Sequence, residues 1–192
     1  HAARRTDGVS AIDVFVPVAR ALRELETRRH AEIDPLMQRW TLAHPLSIGM
    51  VRAGDWASSV PDLLVAEGRL GVALGEPIAD ARGELEDAIA AVNEADPWLR
   101  EHPVEVEWRG GQFEAGCLPA DSDLVDRVRA AHDVVDSAPV DVYGAPYGSD
   151  LRLLTGLGGI PTVQYGPGDA ELAHGPFESV PVDQITTTAR TL

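Results

Sequence analysis

"VPDLLVAEGRLGVAL", residues 60–74, runs straight into Gly75-Glu76-Pro77 and then into a helical pattern. Apolar residues broken by single polar ones, with turn formers on both sides, mark the stretch as a β-strand. Upstream, across the link "DWASS" (55–59), the run "LSIGMVRAG" (46–54) alternates loosely and reads as a second strand.

Outward from this pair lie two helices. Between Gly8 and Ala31, Ile12, Phe15, Val16, Ala19 and Leu22 recur at helical spacing, and Pro17 should kink the helix or displace its start. After "GEP", Ile78, Ala81, Leu85, Ala88, Ile89 and Val92 line one helical face opposite Glu84, Glu86 and Asp87. "VEVEW" (104–108) alternates strictly, as a half-exposed strand does. The order helix, strand, strand, helix, strand is that of a ferredoxin-like α/β unit whose opening strand is missing.

The turn-rich "GGQFEAGCLPADS" (110–122) reads as a linker. A helix follows, with Leu124, Val125, Val128 and Ala131 on one face and Asp121 or Ser122 as N-cap. "VDVYG" (140–144) and "IPTVQYG" (160–166) are expected strands, "SDLRLLTGL" (149–157) a helix between them, and "VDQITTTARTL" a closing helix capped by Asp183. Strand, helix, strand is the rhythm of a parallel α/β sheet, in which functional groups gather at the carboxyl ends of strands. "GPGDAELAHGPFESV" (166–180) lies at such an end.

Sixteen basic residues, every one arginine, face 31 acidic residues, for a net charge of −15. That surface repels phosphate backbones and anionic lipid, so neither nucleic acid nor membrane is an expected partner. A single cysteine, Cys117, excludes an internal disulfide and any multi-cysteine metal site. Cytoplasmic residence is expected. The chain opens without Met, as a piece of a longer one would.

Three stretches carry the candidate chemistry: "HAARRTDGVSAI" at the start, "YGSDLR" (147–152) and "GPG…AHGPFE" (166–178). With "SSVPDLLVAEGRLGVALGE" they resemble, in order, the motifs of the dinuclear-zinc aminoacylase, acetylornithine deacetylase and succinyl-diaminopimelate desuccinylase family, which includes the carboxypeptidase-G type. From the residues alone, His174 reads as an exposed loop histidine ahead of a glycine-flanked metal ligand. Arg152 reads as a bidentate carboxylate grip or as a helix-surface partner of Asp150. Gly166 and Gly168 either let backbone N–H groups approach a ligand or serve a tight turn.

The resemblance implies more. His174 matches the histidine of an Ala-His-x-Pro motif that binds one of two zinc ions (cobalt or manganese being alternatives). Glu178, four residues on, reads either as an orienter of that histidine or as an exposed loop carboxylate. Arg152, in Ser149-Asp-x-Arg, holds a substrate carboxylate. His1 reaches the partner subunit's site and hydrogen-bonds the developing oxyanion, and Ser59, where the family carries a lid asparagine, helps hold substrate. Residues 1–111 would be a lid and dimerisation domain, and residues 112–192 the C-terminal part of the catalytic domain. Gly71 stands where many members carry an arginine, which puts a substrate grip from there in doubt.

Two-metal hydrolysis also needs a His-x-Asp motif and a Glu-Glu pair, and the sequence contains neither. The resemblance therefore implies the C-terminal part of a homodimeric enzyme that deacylates small N-acyl amino acids. These 192 residues would be inactive alone and would aggregate without the N-terminal catalytic segment. The rival reading is a non-catalytic dimerisation module. His30, His44, His102 and His132 read as surface or packing residues, and Arg28, Arg29 and Arg39 as a solvated helix end.

Overall fold

The computed structural model describes residues 1–192 and divides them into two compact units. The first comprises His1–Ala115 with Ala145–Tyr147, the second Gly116–Gly144 with Gly148–Leu192.

In the first unit, Ser10 caps helix α1 (Ala11–Arg29) by accepting the Asp13 N–H at 3.3 Å. Asp13 in the first turn and Arg28 and Arg29 in the last complement the helix dipole. The helix runs through Pro17, which costs it one backbone hydrogen bond without moving its start. Strands β1 (Leu46–Ala53) and β2 (Leu64–Leu70) pair antiparallel, from Leu46 opposite Leu70 to Ala53 opposite Leu64. A bulge at Gly49 shifts the register between Ile48 and Met50. Opposite it, a Cβ at Gly68 would lie 2.2 Å from the Ser47 carbonyl oxygen, so only glycine lets the two backbones approach. Helix α2 spans Ile78–Ala95, and α1 packs on it and on both strands. Val18, Leu25, Leu46, Ala81, Ile89 and Leu99 form the buried core.

"VEVEW" is not a strand. Val104, Val106 and Trp108 are half-buried and Glu105 and Glu107 exposed, so the alternation is kept without a paired neighbour. The Asn93 amide stands in for one: its Oδ1 accepts the Val104 N–H at 2.9 Å and its Nδ2 donates to the Val104 carbonyl at 3.1 Å. Trp108 Nε1 donates to Glu86 at 2.5 Å while Arg82 lies 5.1 Å over the indole ring.

Arg29 corrects the expectation of a solvated arginine cluster. Its side chain is only 5% exposed and grips both Glu76 oxygens, at 2.8 and 2.7 Å. It also donates to Glu84 at 2.5 Å and to the Gly71 carbonyl at 2.9 Å, fastening the ends of α1 and β2 and the start of α2. Burial opposes the Arg29 charge, but the hydrogen bonds to Glu76 and Glu84 outweigh it and raise the pKa above the ordinary arginine value. For Glu76, burial is likewise outweighed by hydrogen bonds from Arg29 and the Ala73 N–H, and the carboxyl pKa is lowered.

His44 is a buried packing histidine whose pKa is lowered, first by burial and then by the charges of His30 and Arg29. A depressed histidine pKa means that acid protonates the unfolded chain first, so stability falls as pH drops below the ordinary value of 6.5. Glu76 adds stability above its ordinary 4.5 that disappears as pH falls through its lower folded value. Urea midpoints for the first unit, followed by hydrogen exchange in the full-length protein, are therefore expected to fall steadily from pH 8 to pH 4. A midpoint constant between pH 7 and pH 5 would remove His44 from this account.

In the second unit, α3 (Leu124–Val135) packs on α4 (Val182–Thr191). Ser122 Oγ accepts the Leu124 N–H at 3.3 Å, while α4 begins before Asp183, which sits in its first turn rather than capping it. Residues 140–144 and 160–166 are not strands, and within 149–157 only 151–157 is helical, ending in a π-helix at Leu153–Leu157. No ladder partner meets either apolar run. The one buried residue of this unit is a histidine, His132. Its Nε2 faces the Ala138 carbonyl at 3.0 Å, which requires Nε2–H, and its Nδ1 lies 2.6 Å from the Tyr165 hydroxyl. Tyr165 in turn meets Thr191 Oγ1 at 3.2 Å. No helix of the chain is long and apolar enough to cross a membrane.

Candidate functional site

The first unit brings His1 and Ser59 onto adjoining backbone. The Ala2 N–H donates to the Ser58 carbonyl at 2.8 Å, joining the segment after His1 to the 56–59 turn. His1 Nδ1 accepts the Ala3 N–H at 3.1 Å, so in the neutral ring the proton sits on Nε2, leaving an exposed N–H donor. Ser59 spends its hydroxyl hydrogen on the Trp56 carbonyl at 2.8 Å and keeps only acceptor capacity. Gly71, where the resemblance implied an arginine in many members, has a structural reason to be glycine. A Cβ there would lie 2.7 Å from the His44 backbone, while its N–H and carbonyl are taken by Pro45 and Arg29.

In the second unit, Ser149 and Arg152 share one turn. Ser149 Oγ accepts the Leu151 N–H at 3.3 Å, and the Asp150 carbonyl accepts from Leu153 and Leu154 at 2.9 and 3.0 Å. Arg152 is half-buried at the start of the π-turn, a distortion frequent at functional sites. Gly168 adopts φ +92°, and its N–H donates to the Gln184 side chain of α4 at 2.9 Å. That N–H serves the turn rather than a ligand; a Cβ at Gly166 would meet nothing within 4 Å.

His174 is exposed and adopts φ +61°, the left-handed region that histidine tolerates better than most residues. The preceding turn, Ala170–Leu172, is capped by Asp169, whose carboxylate accepts the Glu171 N–H at 2.9 Å. Glu178 accepts the His174 backbone N–H at 3.0 Å, so it fixes the residue's backbone and not, as expected, its ring. No group of three or more His, Cys, Asp or Glu side chains is placed to hold a metal. One imidazole falls short of the three or four protein donors that zinc needs, so these residues do not by themselves fit a metal centre.

The model of the peptidase family M20/M25/M40 matches residues 13–192. The chain belongs to that family. Among curated proteins it is similar to the N-formyl-4-amino-5-aminomethyl-2-methylpyrimidine deformylase of Halalkalibacterium halodurans, at 25% identity over all of this chain and 46% of the relative. The protein of that name from Bacillus subtilis is 28% identical over 96% of this chain and 45% of its own length. A probable carboxypeptidase of Aspergillus niger is 28% identical over 95% of this chain and 39% of its own. The chain thus spans less than half the length of these M20/M25/M40 relatives. Family membership agrees with the expected dinuclear-zinc hydrolase resemblance at the level of a hydrolase.

Sequence reasoning read His132 rightly as a packing residue, misread Arg29 as solvated, and missed Tyr165 and the π-turn. Only the Gly-flanked "SDLRLLTGLGG" carried any local signal of the last of these.

Proposed function

We propose that these residues form part of a metal-dependent amidohydrolase that removes the acyl group from small N-acylated substrates retaining a carboxylate. The observation that carries this is Arg152, half-buried on a capped turn within a chain matched almost throughout to a hydrolase family. A guanidinium so held suits a carboxylate bidentately. The first unit is the lid and dimerisation domain of a homodimer, with His1 Nε2–H donating to the oxyanion in the partner's site and Ser59 accepting from substrate. The second unit is the C-terminal part of the catalytic domain, with Ser149, Gly166 and Gly168 shaping the pocket beside Arg152. His174 is one metal ligand, zinc being the preferred ion and cobalt or manganese the alternatives; the other donors belong to protein outside these residues.

The two relatives named deformylases are a reason to try formyl beside acetyl and succinyl as the acyl group. The test is hydrolysis by the full-length protein of N-formyl, N-acetyl and N-succinyl amino acids and of their α-carboxamides. Turnover of at least one acid, with its carboxamide poorer by about 10-fold or more, is the expected result. Equal rates on acid and carboxamide would remove Arg152 from the account.

A further inference from the structure

Gly116 opens the second unit and has no role in the chemistry so far described. Its backbone lies directly against the Ser149–Arg152 turn. A Cβ there would come within 2.6 Å of both the Cα and the backbone N of Arg152, and within 2.7 Å of Leu151 Cδ2. Real Cβ atoms do not approach so closely, and two of the three atoms are backbone, which cannot swing aside as a side-chain end can. At Gly148, Gly156 and Gly166 of the same unit an added Cβ would meet nothing within 4 Å, and Gly158 is crowded only by its own turn, 2.7 Å from the Leu154 carbonyl oxygen. Gly116 also lacks a positive φ, so its identity is set by this contact and not by a turn conformation.

The contact completes a cradle around one residue. Ser149 Oγ holds the Leu151 N–H from below, and the Asp150 carbonyl takes the two N–H groups that follow Arg152. The Gly158 N–H closes the π-turn on the Leu153 carbonyl at 2.9 Å. A side chain at 116 would therefore have to push the Arg152 backbone out of this position. A bidentate guanidinium–carboxylate pair is sensitive to displacements of an ångström or less.

We propose that Gly116 is a positioning residue for Arg152: the absence of a side chain at 116 sets where the guanidinium stands and hence the enzyme's preference for a substrate carboxylate. This rests on the reading of Arg152 as the carboxylate grip. The effect is on binding, so Gly116→Ala raises KM for the acid and leaves its carboxamide alone.

The experiment uses the full-length enzyme with an N-acyl amino acid and its α-carboxamide, each variant assayed at the same interval below its own melting midpoint. Gly116→Ala is expected to raise KM for the acid roughly 10-fold or more, with kcat changed less than about 3-fold and the carboxamide unaffected. In Gly116→Ala/Arg152→Ala the acid is expected to fare no worse than with Arg152→Ala alone, the non-additivity of two residues acting as one. Gly156→Ala, with open space around it, keeps wild-type values. Should Gly116→Ala fail to fold, Ser149→Ala loosens the same turn without added bulk and is expected to show a smaller loss with the same selectivity. Equal losses on acid and carboxamide in whichever of these variants folds, or full additivity with Arg152→Ala, overturn the proposal while the substrate reading stands. A wild-type enzyme that does not distinguish acid from carboxamide overturns the substrate reading, and the proposal with it.

Discussion

Replacing Arg29 by alanine is expected to destabilise the first unit by about 3–5 kcal/mol, because it strands a carboxylate that folding has drawn out of water. The Glu76 side chain is 15% exposed, and Arg29 meets both of its oxygens. The loss also frees the Gly71 carbonyl, at the end of β2, from its donor. Arg29 Nε already lacks a partner, so the wild-type pair is not a fully satisfied one. That favours a second expectation: Arg29→Met with Glu76→Leu, which removes both charges, recovers most of the loss. Glu84 is half-exposed, and Glu84→Ala is expected to cost under about 1 kcal/mol despite its short contact. Urea unfolding of the full-length protein, read by hydrogen exchange in α1 and α2, measures all three. An Arg29→Ala loss no larger than that of Glu84→Ala would show that the buried pair does not hold the unit together.

The second large effect concerns His174. Because this residue holds φ +61°, alanine would add backbone strain to the loss of the ring and confuse the two. Asparagine tolerates the left-handed region and keeps the N–H that Glu178 accepts, so His174→Asn isolates the imidazole. On the proposed function, the full-length variant loses about 100-fold or more in amide hydrolysis and binds less metal, with little change in melting temperature. Unchanged metal content and turnover would return His174 to the exposed loop histidine that its residues alone favour.

The two findings mark where sequence patterns carried and where they did not. Helices α1 and α2 and the pair β1–β2 announce themselves through periodic apolar residues and the turn formers around them. The Arg29–Glu76 and Arg29–Glu84 contacts join positions 47 and 55 residues apart, and no local pattern encodes that distance. "VEVEW", "VDVYG" and "IPTVQYG" have strand composition, yet a strand exists only through a neighbour's hydrogen bonds, and composition says nothing of the neighbour. Gly116 looked like one more glycine in a turn-rich linker. Its significance comes from a backbone met across 36 positions.

The second unit's lone buried histidine has a thermodynamic consequence. Heat-capacity change on unfolding tracks apolar area newly wetted, and here Val134, Leu157, Phe177, Val182 and Leu192 are already 77–87% exposed. Taken by themselves these residues would give the second unit well under about 12 cal/mol/K per residue, and protein covering those side chains would bring it back toward that value.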